Sequence, residues 1–261
     1  WYWDLMFFKW SHTIYGPTTQ FIFALAAWIQ QGSSLALKFL FFLCNLASLA
    51  LGTKMLDTLN KSRNLIFLLF LHPLFLFETM ATAHIESVYI FCLFLTLYFF
   101  IKNKQIFSGL SLALLTLTKF FPLLFWPLFI LHKKNPLKGI WERKVLVLTT
   151  LSAVTLLYLP FFFRLDSPTL LIESFRAFSE NWVMSPGIFA LVWKFFSYET
   201  TKLILNITIV FLTMYSYYRY SKHKDIFQAI YEITLWLILF SSLLFSWYVL
   251  WLLALVPFIK N

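Results

Sequence analysis

Charge is scarce in this chain. Charged residues fill 12% of its 261 positions, and acids are the scarcer sign, with 11 Asp and Glu against 21 Lys and Arg. A soluble domain carries about 25% charged residues. Surface-to-volume scaling also stops a chain of this length from hiding so much apolar surface in a water-bounded core. A soluble globular domain is thereby excluded. Glycine is nearly as rare, with six residues. No Gly-x-Gly-x-x-Gly or P-loop pattern occurs, so nothing indicates a nucleotide-binding fold. No Gly-x-Ser-x-Gly nucleophile elbow is present. The two cysteines, Cys44 and Cys92, lie inside apolar runs and read as small packing residues, with no disulfide framework or metal-ligand spacing. No cofactor and no divalent metal are expected.

Apolar residues are abundant: they make up 61% of the chain, with a mean hydropathy of +0.77. There are 33 Phe, 12 Tyr and 11 Trp; Phe suits a lipid face, and Trp and Tyr suit the two membrane interfaces. The expected fold class is all-α, a polytopic integral membrane protein in one transmembrane domain spanning residues 1–261. Apolar runs mark Leu35–Gly52, Leu65–Met80, Val88–Ile101, Val145–Phe163, Lys202–Tyr218, Ile226–Leu243 and Trp247–Ile259. Several fall short of the roughly 20 residues a full span needs. Broken helices are tolerated where protein buries their ends.

The net charge of +10 does not indicate nucleic acid as a partner. The basic residues sit in short runs between apolar segments, where they act as topology signals. One path puts every basic run on one side. Lys54, Lys61 and Arg63 lie inside, as do Lys102 and Lys104, then the run from Lys133 to Lys144, then Arg219, Lys222 and Lys224. This path requires Phe107–Leu131 to be a broken hairpin turning near Lys119, since Pro122 and Pro127 interrupt helical hydrogen bonding. Thr18–Ile29 becomes a half-helix on the outer side, and Pro186–Phe196 is a similar short segment. Polar residues then gather outside: Tyr15, His84, Glu86, Arg164, Asp166, Arg176, Glu180, Asn181 and Trp182.

Ionisable groups at membrane depth face water, a partner or a ligand. Glu78, His84 and Glu86 form one such group; they could bind sugar hydroxyls or a phosphate, or one could act as a base. The plain alternative is a solvated turn, with Glu78 paired to His72 or a lysine. Lys119 lies mid-way along an apolar stretch, where it meets either an anionic phosphate or a carboxylate such as Glu78 or Glu86. Trp182 and the pair Trp247-Tyr248 either contact a sugar or anchor the interface. Three functions fit these features: a glycosyltransferase, a transporter or flippase of lipid-linked saccharides, and a non-catalytic scaffold. Inverted repeats would mark a transporter, and none is visible.

An ordered set of short motifs runs along the chain: Tyr15-Gly16-Pro17, His72-Pro73-Leu74 with Glu78 and His84-Ile85-Glu86, Leu117-Thr118-Lys119-Phe120-Phe121-Pro122 with Trp126-Pro127, Asn181-Trp182 with Gly187-Ile188-Phe189, and Trp247-Tyr248 with Trp251. In this order they resemble the GT-C superfamily of membrane glycosyltransferases, and within it the GT87 group and related alpha-1,6-mannosyltransferases. The chain departs from that pattern with Tyr-Gly-Pro for Tyr-Pro-Pro and His-Ile-Glu for His-Asn-Asp/Glu. The resemblance implies a GT-C-like helical bundle with broken and re-entrant helices, multi-pass in a bacterial inner or plasma membrane. Its site would face outside and transfer a hexose, mannose in this group, from a polyprenyl-phosphate carrier to a glycan or lipid acceptor. It implies Lys119 or Arg164 as the phosphate's cation. Tyr15, Glu78, His84, Asn181, Trp182, Trp247 and Tyr248 are the further substrate contacts, and Glu86 is a catalytic candidate. The base is implied to be an acid of the first external loop. Asp4 is the one acid before Tyr15, and the expectation is a longer protein whose first helix and true base precede Trp1.

Overall fold

The computed structural model describes residues 13–130, 136–163, 176 and 187–259. The described residues form an all-α membrane protein with no strand. Helix α1 (Pro17–Ile29) starts on a proline, whose missing N–H would be unpaired there in any case. Gly32, at φ +74°, turns the chain into α2 (Ser34–Thr58), which Ser33 caps by accepting from the Leu35 amide at 3.2 Å. After a 3-10 turn at Arg63–Ile66 come the short helices α3 (Phe67–Phe70) and α4 (Pro73–Leu76), then a π-helical turn, Phe77–Ala81. Next are α5 (Glu86–Ile101) and α6 (Gln105–Thr118), a 3-10 turn at Phe121–Phe125, and α7 (Trp126–Ile130). Helices α8 (Pro136–Glu142), α9 (Lys144–Phe162) and α10 (Gly187–Trp193) precede α11 (Tyr198–His223) and α12 (Ile226–Phe240). A 3-10 turn, Ser246–Tyr248, leads into α13 (Val249–Leu253).

Among the described residues, α2 and α9 are each long and apolar enough to cross a membrane alone. The run Leu65–Met80 is a pair of segments bent by 60°. The bend follows from His72-Pro73: proline cannot continue the preceding turn, and the His72 imidazole Nδ1 accepts from the Leu74 amide at 3.2 Å to start the next one. The run Trp247–Ile259 is likewise not one helix but a 3-10 turn, a five-residue helix and further turns. Thr18–Ile29 and Pro186–Phe196 contain the short helices α1 and α10, as expected.

The bundle is layered, with α6 packed between α5 and α9, α2 against α5, and α11 against α12. Large buried side chains, among them Phe41, Phe75, Tyr89, Phe94 and Phe129, fill the centre. Small residues allow the closest approaches. A side chain at Gly109 would run into the backbone of Leu146 on α9, whose neighbour Thr150 donates its hydroxyl to the Gly109 carbonyl at 3.2 Å. Outward, α11 exposes Leu203, Ile207, Val210, Phe211 and Met214, an apolar stripe at helical spacing that suits lipid. Cys44 and Cys92 are both free thiols.

Candidate active site

The site starts from a helix break written into the sequence. Pro122 has no N–H to give the Thr118 carbonyl four residues earlier. That carbonyl takes the Thr19 hydroxyl of α1 instead, at 3.1 Å. Helix α6 ends at Thr118, and Lys119 is extended (φ −145°, ψ 147°). The hairpin expected to turn near Lys119 thus breaks at that residue. Gly16 lets α1 dock there, because a side chain at this position would collide with the Leu117 carbonyl. Tyr15 is carried into the same corner.

Lys119 projects onto the N-terminus of α5. Its Nζ donates to Glu86 Oε1 at 2.5 Å, and the two side chains are only 10% and 1% exposed. Glu86 stands in the first turn of α5, where the helix dipole favours a carboxylate. The lysine is enclosed by aromatic rings: its Nζ lies 4.7 Å from the Trp251 centroid, 5.4 Å from Tyr248 and 5.8 Å from Tyr15. Such faces attract a cation electrostatically. Tyr248 and Phe121 each stack on Trp251, at 4.2 and 4.3 Å. Burial, with the Glu86 charge added, pushes the Tyr15 hydroxyl up to about 12, so it stays a neutral hydrogen-bonding group at physiological pH. Three buried polar atoms of this corner have no hydrogen-bond partner: Glu86 Oε2, the Tyr89 hydroxyl and the Trp251 indole nitrogen. Buried polar groups are nearly always satisfied, so a cluster of three suits a polar ligand.

A second group adjoins the first. Glu78, on the π-helical turn, is 4% exposed at its side chain and accepts two hydrogen bonds. These come from Ser246 Oγ at 2.5 Å and Thr82 Oγ1 at 3.1 Å, and the His84 Nε2 lies 3.2 Å from Glu78 Oε2. Ala83, at φ +57°, reverses the chain so that the His84 amide also meets the Glu78 carbonyl, at 2.9 Å. A non-glycine residue in that region is uncommon and costs roughly 1–3 kcal/mol; here the strain aims the imidazole at the carboxylate. The other face of the ring lies on Trp247, with centroids 3.9 Å apart, and Trp247 stacks in turn on Phe245 at 4.5 Å. The turn Ser246–Tyr248 joins the two groups, since Ser246 touches Glu78, Trp247 touches His84 and Tyr248 faces Lys119.

Seven of the residues singled out from sequence are therefore gathered here: Tyr15, Glu78, His84, Glu86, Lys119, Trp247 and Tyr248. Of the pairings left open, Lys119 takes Glu86, and Glu78 takes His84 in place of His72. Asp4, Arg164, Asn181 and Trp182 lie outside the described residues. Trp251 belongs to the motif set read from the sequence, but nothing there marks Tyr89 or Ser246 as partners of these residues. A usable signal is the i, i+3 spacing of Glu86 and Tyr89, which sets both on one helix face. Among the described residues, no group of three or more His, Cys, Asp or Glu stands together that could hold a metal.

The model of glycosyltransferase family 87 matches residues 13–258. No curated protein and no solved structure matches the chain.

Proposed function

Given that the chain belongs to glycosyltransferase family 87, and is thus a membrane glycosyltransferase acting on a sugar donor and an acceptor, we propose that the donor is a polyprenyl-phosphate hexose, with mannose as the sugar. The observation that carries this reading is Lys119, a buried ammonium with one carboxylate partner, three aromatic walls and orphaned donors beside it. An ammonium has three donors, and Glu86 takes one. A phosphate fits the remainder, together with the Tyr89 hydroxyl and the Trp251 N–H. The aromatic faces suit the apolar C–H face of a hexose and the first isoprene units of the carrier. No nucleotide-binding element competes with this reading.

The reaction is a displacement at the anomeric carbon. The acceptor hydroxyl oxygen attacks, the carbon–oxygen bond to phosphate breaks, and its electron pair leaves with the phosphate. Lys119 lowers the cost of that developing charge because it is already in place and desolvated, and Glu86 positions it. The hydroxyl proton passes to an acid of the segment before Tyr15, for which Asp4 is this chain's candidate. Arg164 is a second candidate cation, and Asn181 and Trp182 candidate sugar contacts. His84, held by Glu78 and Trp247, hydrogen-bonds a sugar hydroxyl. The site faces the outer side of a bacterial inner membrane in a multi-pass arrangement. Lys61, Arg143 and Lys224, at the other end of the bundle, face the cytoplasm by the positive-inside rule. The acceptor is a glycan or lipid. Family membership favours an enzyme over a transporter, and nothing in the site calls for a flippase.

The test is transfer by the full-length protein in liposomes, offered synthetic polyprenyl-phosphate-mannose or a nucleotide-mannose. Transfer from the lipid donor alone is expected. Transfer from the nucleotide sugar without a lipid carrier, or none from any polyprenyl-phosphate sugar, overturns the donor assignment.

A further inference from the structure

A cavity of about 710 Å³ opens at the other end of the bundle from the active site. Helix α5 runs from Glu86 at the site to Phe100 and Ile101 at the cavity, and α6 from Gln105 at the cavity to Lys119. At 1.5 Å per residue, about 20 Å separates the two. The volume falls within the roughly 300–1,000 Å³ of small-molecule sites, yet none of the lining belongs to the transfer chemistry.

The lining is built from cations whose own partners leave them short of negative charge. Arg143 is partly buried; its guanidinium donates to the Asn103 side-chain oxygen at 2.8 Å and lies 5.0 Å from the Phe100 ring. Burial lowers its pKa, opposed by the nearby Tyr220 and Glu142. The Lys61 ammonium donates to the Phe258 and Ile259 carbonyls at 2.8 and 2.6 Å, and its third proton remains available. Lys224 sits in a left-handed turn between α11 and α12. Two acids also line the space. Asp225 is engaged in capping α12, accepting from the Gln228 amide at 3.1 Å, and Glu142 neighbours Arg143. The permanent charges of the lining still sum to a net positive value, three cations against two acids. Beneath them lie Phe227 and Phe258, stacked at 5.0 Å. Basic charge over an apolar floor, between helices at a membrane protein's basic end, matches an anionic head on a hydrocarbon chain.

We infer that this cavity binds a phosphate group, the guanidinium of Arg143 and the ammonium groups of Lys61 and Lys224 holding the oxygens, above a floor closed by the buried Phe227 and Phe258. It is separate from the donor phosphate at Lys119 and stands whether or not the donor assignment holds. The guanidinium fork suits phosphate bidentately. The phosphate comes either from an anionic phospholipid headgroup or from the free ion.

The experiment uses the full chain purified in detergent and titrated with phosphatidylglycerol, with phosphatidylcholine of the same acyl chains, and with inorganic phosphate. Thermal shift and native mass spectrometry give the readouts. Wild type is expected to retain phosphatidylglycerol at least fivefold over phosphatidylcholine. Arg143→Gln should abolish that preference, and Lys224→Gln, at an exposed position, should reduce it. A thermal shift that inorganic phosphate alone reproduces assigns the free ion; one that needs phosphatidylglycerol assigns the headgroup. Equal retention of the two lipids with no shift from phosphate overturns the inference. So does a preference unchanged in Lys224→Gln and in Arg143→Gln, the former deciding alone if the latter does not fold.

Discussion

The two ends of the bundle handle charge in opposite ways. At the active-site end, both carboxylates are almost wholly buried and each has one basic partner: Glu86 the buried Lys119, and Glu78 the half-buried His84. At the basic end, Lys61 rests on backbone carbonyls and Arg143 on an amide and a ring. The ion pairs toward that end, Arg63 with Asp57 at 2.6 Å and Arg219 with Glu232 at 2.5 Å, leave their arginine side chains 70% and 43% exposed. Pairing in a dry corner fixes geometry, because a low dielectric punishes any departure from it. Looser, half-solvated cations fix little, but they hold a positive potential open to whatever enters. One end is organised for chemistry and the other for orientation and capture.

The strongest way to break this contrast is Lys119→Met. It leaves Glu86 buried without its cation, at a cost of about 3–5 kcal/mol in stability. It also removes the phosphate contact, so transfer should fall by roughly 100- to 1,000-fold, the scale for losing one preorganised electrostatic contact. Adding Glu86→Gln separates the two effects. The double variant should regain most of the melting temperature and none of the transfer rate. If the double variant recovers transfer, Lys119 serves only to neutralise Glu86, and its role toward phosphate is lost.

Glu78→Gln sharpens the same end on its other side. The amide keeps the shape but withdraws the charge from two hydrogen bonds and from the close contact with His84. Charge-assisted hydrogen bonds contribute about 1.5–3 kcal/mol each, so kcat/KM should fall roughly 10- to 100-fold. His84→Ala should fall similarly. The double variant should be no worse than the poorer single one, since residues acting as a unit are not additive. Additive losses would show that Glu78 does not act through His84.

How far the sequence reveals this arrangement depends on where each signal lies. The break at Lys119 is legible because Pro122 acts locally and its effect on the Thr118 carbonyl is fixed by chemistry. The gathering of Tyr15, Glu86 and Lys119 at one end follows from keeping all basic runs at the other. Leu65–Met80 reads as one apolar run, and its bend at His72-Pro73 goes unseen because hydropathy does not sense a change of direction. The Glu78–His84 pairing depends on a left-handed Ala83 and a π-helical turn, and alanine carries no mark of positive φ. Ser246 reaches Glu78 across 168 positions, a contact no local pattern contains.

Gly16→Ala tests how tightly α1 holds the site. The new methyl would strike the Leu117 backbone, two residues before Lys119. Overpacking of this kind costs about 1–3 kcal/mol. The shift should move Tyr15 from the Lys119 corner, lowering transfer more than the melting temperature alone explains. A melting temperature equal to wild type would mean that α1 is not pressed against α6 in the folded protein.

Arg219→Gln is the matching lesion near the basic end and the mildest of the set. It too deprives a buried carboxylate of its cation, for Glu232 is only 5% exposed. Two features reduce the cost. The Gln228 side chain still donates to Glu232 Oε1 at 3.0 Å, and the half-exposed arginine leaves room for water to take its place. A loss of about 1 kcal/mol, between the surface and buried limits, follows. Transfer per folded molecule should be unchanged, because among the described residues none of the donor corner touches this pair. If Arg219→Gln instead slowed transfer as much as Glu78→Gln, the two ends would be coupled through α12, which carries Glu232 and leads toward Ser246, and the division of labour between them would fail.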